Sequence, residues 1–267
     1  MKISAIIPAR YGSTRFQGKP LADILGKPMI QRVYERVCES KLINDVIVAT
    51  DDQRILEAVE GFGGKGVMTS PDHTTGSDRV AEVARNLRSG IIVNVQGDEP
   101  LIRGPIIDRA IRPLLTDEAI SISTLMTEIN DVKDWLNPHI VKVVVDQKNF
   151  ALYFSRSPIP FPRDLHIHRL ESNPFGTKRP LPKRVFKHIG VYVYPRAFLL
   201  KFTKMKPTPL EKLEKLEQLR ALENGYRIKL TPVLYEPICV DTPEDLQKVV
   251  ALLSQPDQKP LSNLKTL

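Results

Sequence analysis

A three-layer α/β fold with a mainly parallel central sheet is what this sequence predicts, and three observations predict it. Apolar runs at 3–7, 45–50 and 91–95 are short and nearly uninterrupted, as strands buried on both faces are. The stretches between them place apolar residues three and four apart, the period of helices that cover a sheet. The first and third runs stop abruptly at loops holding Gly and charged or polar residues, and open α/β sheets bind ligands there, beyond the carboxyl ends of their strands.

Bulk composition narrows the function. A chain of 267 residues, 42% hydrophobic, can bury a sizeable core. Its net charge of +8 suits nucleic acid or a small polyanionic substrate. Residues 163–187, however, hold seven Lys/Arg against two acids, and the remainder is nearly balanced. That segment lacks interleaved stacking aromatics, so nucleic-acid binding is not expected. Cys38 and Cys239 lie far apart without metal-ligand spacing, a reduced, cytoplasmic pattern. The first apolar run is too short for a signal peptide, and no stretch reaches transmembrane length, so membrane insertion is not expected.

The first strand, at 3–7, is bounded by Pro8 and runs into a loop carrying Arg10, Gly12, Ser13, Thr14, Arg15, Gly18 and Lys19. Glycines allow the backbone to approach a ligand, and exposed amides form an anion-binding concavity. Three cations on one loop call for a highly charged anion, and a nucleoside triphosphate fits best. A Walker loop is excluded: Gly12 and Gly18 enclose five residues, and Pro20 replaces the required hydroxyl. The dinucleotide pattern at 61–66 follows a helical stretch rather than a strand, and reads as a glycine-capped helix end.

The remaining elements follow in order. A helix is expected over 28–38, with Ile30, Val33, Tyr34 and Val37 on one face, then a strand at 45–50, a helix over 55–62 and a strand at 66–68. The loop 73–79 enters an amphipathic helix with Ser77 or Asp78 as its N-cap. The run at 91–95 is the central strand, and Asp98 beyond it, beside Gly97, is the expected magnesium ligand. Glu99 reads as a helix-start charge before Pro100. A helix over 105–115 and a strand at 119–125 come next. Strands at 140–146 and 151–156, separated by 147–149, form an antiparallel pair, and the three prolines within 157–162 exclude a central strand. The basic segment 163–187 reads as an exposed loop or lid. At 188–194, alternation puts His188, Gly190, Tyr192 and Tyr194 on one polar, aromatic face suited to a sugar.

Thr208 and Glu211 begin a helix expected to run to about 223, whose leucines at 210, 213, 216, 219 and 222 drift around it and would meet both core and partner subunit. Glu217 on this helix pairs with Arg220 or accepts sugar hydroxyls alongside Gln218. A strand at 228–234 precedes Asp241, which lies just outside the Thr242 start of a last helix over 244–253. Asp98 and Asp241 can therefore converge at one sheet edge as ligands for one or two magnesium ions, unless Asp241 is only a cap. Residues 254–267 form a polar tail, expected to be disordered.

Five stretches, P-A-R-Y-G-S-T-R-F-Q-G-K-P-L, V-N-V-Q-G-D-E-P, A-L-Y-F-S-R, L-E-Q-L-R and V-D-T-P-E-D-L, together resemble the 3-deoxy-manno-octulosonate cytidylyltransferases, a family of sugar nucleotidyltransferases. The resemblance implies a Rossmann-like nucleotidyltransferase domain over 1–253: a nucleotide-binding part at about 1–127, a sugar-side and dimerisation part at about 128–205, and a return to the core at about 206–253. It implies that CTP and 3-deoxy-D-manno-octulosonate (Kdo) give CMP-Kdo and pyrophosphate for lipopolysaccharide synthesis, with Mg2+, in a homodimer. Arg10, Ser13, Arg15, Lys19, Thr74, Thr75, Ser77, Gln96 and Asp98 would hold the nucleotide, with Lys19, Arg10 and Asp98 catalytic. Arg156, His188, Tyr192, Glu217 and Gln218 would hold the sugar acid, and Asp98 and Asp241 the metal. Three other readings stand beside it: a relative for another sugar acid such as sialic acid, a non-enzymatic nucleotide sensor, and an RNA-binding protein using the basic segment.

Overall fold

β1 (Ile3–Ala9) is buried along nearly its whole length, so it can only be an inner strand. The computed structural model describes residues 1–12, 15–163 and 181–254. After β1 come a 3-10 turn (Lys19–Leu21), a small hairpin of β2 (Asp23–Ile24) and β3 (Lys27–Pro28), α1 (Met29–Cys38), β4 (Asp45–Thr50), α2 (Gln53–Gly61) and β5 (Gly66–Met68). α3 (Gly76–Arg85), β6 (Ile91–Asn94), α4 (Gly104–Thr116), β7 (Ile122–Glu128), α5 (Val132–Leu136), β8 (Lys142–Val145) and β9 (Ala151–Ser155) follow. β10 (Phe186–Pro195), α6 (Arg196–Phe202), α7 (Pro209–Glu214), α8 (Leu219–Glu223), β11 (Ile228–Pro232) and α9 (Pro243–Leu253) complete the described chain.

The main sheet has the order β11-β7-β10-β6-β1-β4-β5. All of these strands run one way except β10, which is antiparallel to both neighbours. β8 pairs with β10 and β9 with β8, both antiparallel. The expected antiparallel portion therefore exists, but β10 threads the middle of the parallel sheet. The sugar-side segment is built into the core and is not an appendage.

Helices cover both faces, making three layers. Ile7, Ile30, Val33, Ile55, Ile107 and Ile111 belong to one apolar cluster, and Ile6, Val80, Val83, Leu199 and Leu219 to the other. Period-two alternation in β10 sends Ile189, Val191 and Val193 into the first cluster and Tyr192 and Tyr194 into the second. Each fully buried Ile contributes about 1.5–3 kcal/mol relative to exposure, so the doubly covered central strands dominate stability. Lys142 is fully buried beside them, and its ammonium donates to the carbonyls of Asn137 (2.7 Å), Ile140 (2.6 Å) and Arg156 (2.5 Å). Three N–H groups meet three acceptors, which is how a buried ammonium is tolerated.

Five expectations are corrected. The helix expected over 208–223 is two helices, because Lys215 takes a left-handed conformation with φ of 56°. A leucine every third residue cannot stay on one helical face, and the break lets Leu216 and Leu219 enter the core while Leu213 remains exposed. The N-cap of α3 is Thr75, which accepts from Asp78 N–H, not Ser77 or Asp78. Glu99 starts no helix: α4 begins at Gly104, and Glu99 is buried. The strand expected at 119–125 is β7, which begins at Ile122. Lys187 is no loop residue: it lies buried in β10, paired with Asp134 and Glu236. The expectations for 164–180 and for the tail at 255–267 lie outside the described residues.

Candidate active site

Three loops meet at the carboxyl edge of the sheet. Gly18, with φ of 70°, turns the chain after β1 into the 3-10 turn that carries Lys19. Gly97 brings the loop after β6 against β1, since a Cβ there would stand 3.0 Å from the Pro8 carbonyl oxygen. Val240 N–H donates to the Asp98 carbonyl at 2.9 Å and draws in the third loop. The side chains then converge. Lys19 Nζ donates to Asp98 Oδ2 at 2.9 Å and Asp241 Oδ1 at 3.4 Å, and Arg15 lies 3.1 Å from Asp241.

Asp241 takes no part in capping through its carboxylate. Thr242 caps α9 by accepting from Asp245 N–H, and Asp245 closes the box by accepting from Thr242 N–H. The carboxylate of Asp241 is thus directed to the cations of the first loop.

These residues border a cleft of about 280 Å³ that also includes Arg10, Thr74, Thr75 and Gln96. The start of α3 supplies its far wall. Arg10 pairs with no carboxylate among the described residues, and Ser13 lies outside them. Ser77 does not line the cleft; it is buried and donates to Glu217 Oε2 at 2.6 Å. Arg79, which the resemblance includes only as part of the T-G-S-D-R stretch at 75–79, and His73, given no role of its own, do line the cleft. Arg79 is anchored by Asp51 at 2.6 Å and by Thr69, and His73 by Glu82. The signal for Arg79 was its place four residues before the apolar Val83, on the inward face of α3.

A second group forms where β10 and the turn before α8 meet the first turn of α3. His188 lies between Phe154 and Tyr192, each ring 5.2 Å away, and shares a hydrogen bond with Thr124 Oγ1 at 2.8 Å. Burial drives its imidazole down to about 3, so it is neutral at physiological pH. Burial, and then the nearby Glu217, raises the Tyr192 phenol well above its ordinary range. Glu217 is itself raised by burial, against the Ser77 hydroxyl and Arg220, which lower it. Glu217 Oε1 and Gln218 Nε2 are buried without a hydrogen-bond partner. Such atoms are costly unless something meets them. Arg156 stands apart: its side chain donates to the carbonyls of Glu214 (2.8 Å) and Pro138 (3.0 Å).

A cytidylyltransferase family model matches residues 4–228. The chain is 57% identical over 255 residues to the 3-deoxy-manno-octulosonate cytidylyltransferase of Geotalea uraniireducens, covering 96% of this chain and 100% of that one. It belongs to this family. The Geobacter sulfurreducens enzyme of the same name is 56% identical over 253 residues, covering 95% and 100% of the two chains. A solved structure of CMP:2-keto-3-deoxy-manno-octonic acid synthetase complexed with CTP matches with a TM-score of 0.86 and 42% identity, over 96% of this chain and 99% of that one. A 4-diphosphocytidyl-2C-methyl-D-erythritol synthase from Anaerococcus prevotii, at 16% identity and a TM-score of 0.60, covers 95% of this chain and 99% of its own and shares the fold.

Within the family frame, Glu99 is the largest departure from the sequence reading. It is 3% exposed beside Asp98, and burial first, then Asp98, push its carboxyl up to about 8. Its Oε1 accepts from Cys239 Sγ at 3.7 Å, linking the loops that carry Asp98 and Asp241. Nothing in the local sequence distinguishes it from Asp98; the backbone alternation beyond β6 sends one side chain out and the other in.

Proposed function

We propose that the protein transfers the cytidylyl group of CTP to Kdo, giving CMP-Kdo and pyrophosphate for lipopolysaccharide assembly. One observation carries the reading: Lys19 lies between Asp98 and Asp241 at the carboxyl edge of the sheet, with Arg10 and Arg15 on the same loop. A triphosphate would meet cations at its phosphates and carboxylates beside them. The anomeric hydroxyl of Kdo attacks the α-phosphorus, and pyrophosphate leaves with its charge met by Lys19, Arg10 and Arg15. Such a displacement needs positioning and charge stabilisation rather than a protein nucleophile.

The donor set fits magnesium. Asp98 and Asp241 offer hard oxygens to one point, and no group of three or more His, Cys, Asp or Glu competes among the described residues. Magnesium takes one or two carboxylates, with phosphates and water completing the shell. When bound, it would neutralise triphosphate charge and polarise the phosphoryl oxygens.

Thr74, Thr75 and Gln96 line the nucleotide side, and Ser13 adds to it on the family pattern. His188, Tyr192, Glu217 and Gln218 meet the sugar, and Arg156, whose second terminal nitrogen has no hydrogen-bond partner among the described residues, turns from its carbonyl partners to reach the sugar carboxylate. The enzyme works in the cytoplasm, a reading supported by two free cysteines. It works as a homodimer through the β8–β9 side, where Leu152 and Phe161 are exposed. The deciding assay is pyrophosphate release with CTP or UTP against a panel of 2-keto sugar acids. Release with CTP and Kdo is expected; preference for another sugar acid, or no release, overturns the reading.

A further inference from the structure

The first turn of α3 touches both halves of the site. Thr75 caps the helix and lines the nucleotide cleft. Two residues on, Ser77 is 4% exposed and donates to Glu217 Oε2 at 2.6 Å. The Thr75 hydroxyl itself donates to Asp78 Oδ2 at 2.8 Å. Arg220, held through two nitrogens by Glu211 at 2.8 and 2.5 Å, lies 3.7 Å from Glu217 Oε1. That oxygen and the neighbouring Gln218 Nε2 are two of the six buried side-chain polar atoms without a hydrogen-bond partner among the described residues.

The break after Lys215 matters here. Glu217 sits in a turn between two short helices, so no continuous helix fixes it. Its carboxylate is located by α3 instead, through the hydrogen bond from Ser77.

We propose that Ser77 is a positioning residue that couples the two substrates. It rests on the reading that Glu217 and Gln218 meet the sugar acid. Filling the nucleotide cleft orders the loop and first turn of α3, and Ser77 carries that order to Glu217. The nucleotide and the sugar acid then bind with positive linkage, and each strengthens the other by the same factor. Ser77 itself touches no phosphate, base or sugar.

The test is calorimetric binding of Kdo with and without a CTP analogue that cannot be cleaved between its α- and β-phosphates. In the unaltered protein the analogue tightens Kdo binding by about fivefold or more. In Ser77→Ala, checked for folding by thermal melting, that factor falls to within about twofold of unity while analogue binding measured alone is kept. Ser77→Thr, which restores the hydroxyl, recovers most of the factor. A full factor in Ser77→Ala, or none in the unaltered protein, overturns the proposal. Weaker analogue binding by Ser77→Ala in the absence of Kdo also overturns it, because that is the mark of direct nucleotide contact. Glu217→Gln and Gln218→Ala separate the underlying reading: undiminished Kdo binding by both shows that the sugar site lies elsewhere, whatever Ser77 does.

Discussion

The cleft proposed for the nucleotide and the group proposed for the sugar acid are linked by the first turn of α3 and are built on different electrostatic plans. The cleft is open and ionic: Lys19, Arg15, Asp98 and Asp241 meet at its rim as ion pairs. The other group is less exposed and is built around two rings held neutral by burial, His188 uncharged and Tyr192 far from ionising. A polyphosphate must be met by charge that tolerates arrival and departure. A sugar is met by hydrogen-bond geometry, which a dry, rigid site holds better. Mutations should therefore act differently on the two sides: through turnover in the cleft, and through sugar affinity or acid stability on the other.

The largest effect is expected at Lys19. Lys19→Ala should lower turnover by about two orders of magnitude or more, the scale of losing a charge-stabilising group. A folded variant with wild-type turnover would dissolve the ionic half of the contrast. Asp241→Asn comes next. It should cost at least the ~10- to 100-fold typical of disturbing a metal site, with CTP affinity mostly kept. Because Thr242 supplies the cap, the substitution should leave the melting temperature almost unchanged. Turnover across a magnesium titration, alongside a thermal melt, measures both; near-normal turnover at ordinary magnesium leaves Asp98 as the sole carboxylate.

His188 sharpens the neutral half. Its folded pKa, about 3, is below the ordinary 6.5, so the unfolded chain binds more protons between those values. The stability it contributes is complete above pH 6.5 and is lost as pH falls toward 3, by about 1.4 kcal/mol per pH unit within the window. His188→Gln should flatten this part of the stability–pH curve in denaturant titrations; an unchanged slope would show that the ring is not held neutral. The smallest effect is expected for Gln218→Ala. Loss of one neutral hydrogen bond should raise the KM for Kdo about 3- to 10-fold and leave that for CTP unmoved. A rise in the CTP KM alone would put Gln218 with the nucleotide instead.

The chain pattern determined a good deal by itself. Doubly buried strands must be apolar throughout, so β1, β4 and β6 were legible as runs, and the site had to lie beyond them. Lys19 and Asp98 were legible because each occupies such a loop, Asp241 because it stands just before a helix start, and the alternation of β10 showed His188 and Tyr192 sharing a face. Direction and partnership were not legible. Ser77 and Thr75 both belong to a hydroxyl-rich loop, yet only packing sends one to Glu217 and the other to the cleft. Asp98 and Glu99 are adjacent carboxylates, and only burial behind the loops makes one a rim ion and the other a suppressed acid. The split of the 208–223 helix at Lys215 and the insertion of β10 between parallel strands follow from how the two apolar faces close over the sheet. Local sequence specifies which residues can be buried and where the backbone turns; the partner a buried polar group finds depends on side chains brought close only by the closed fold.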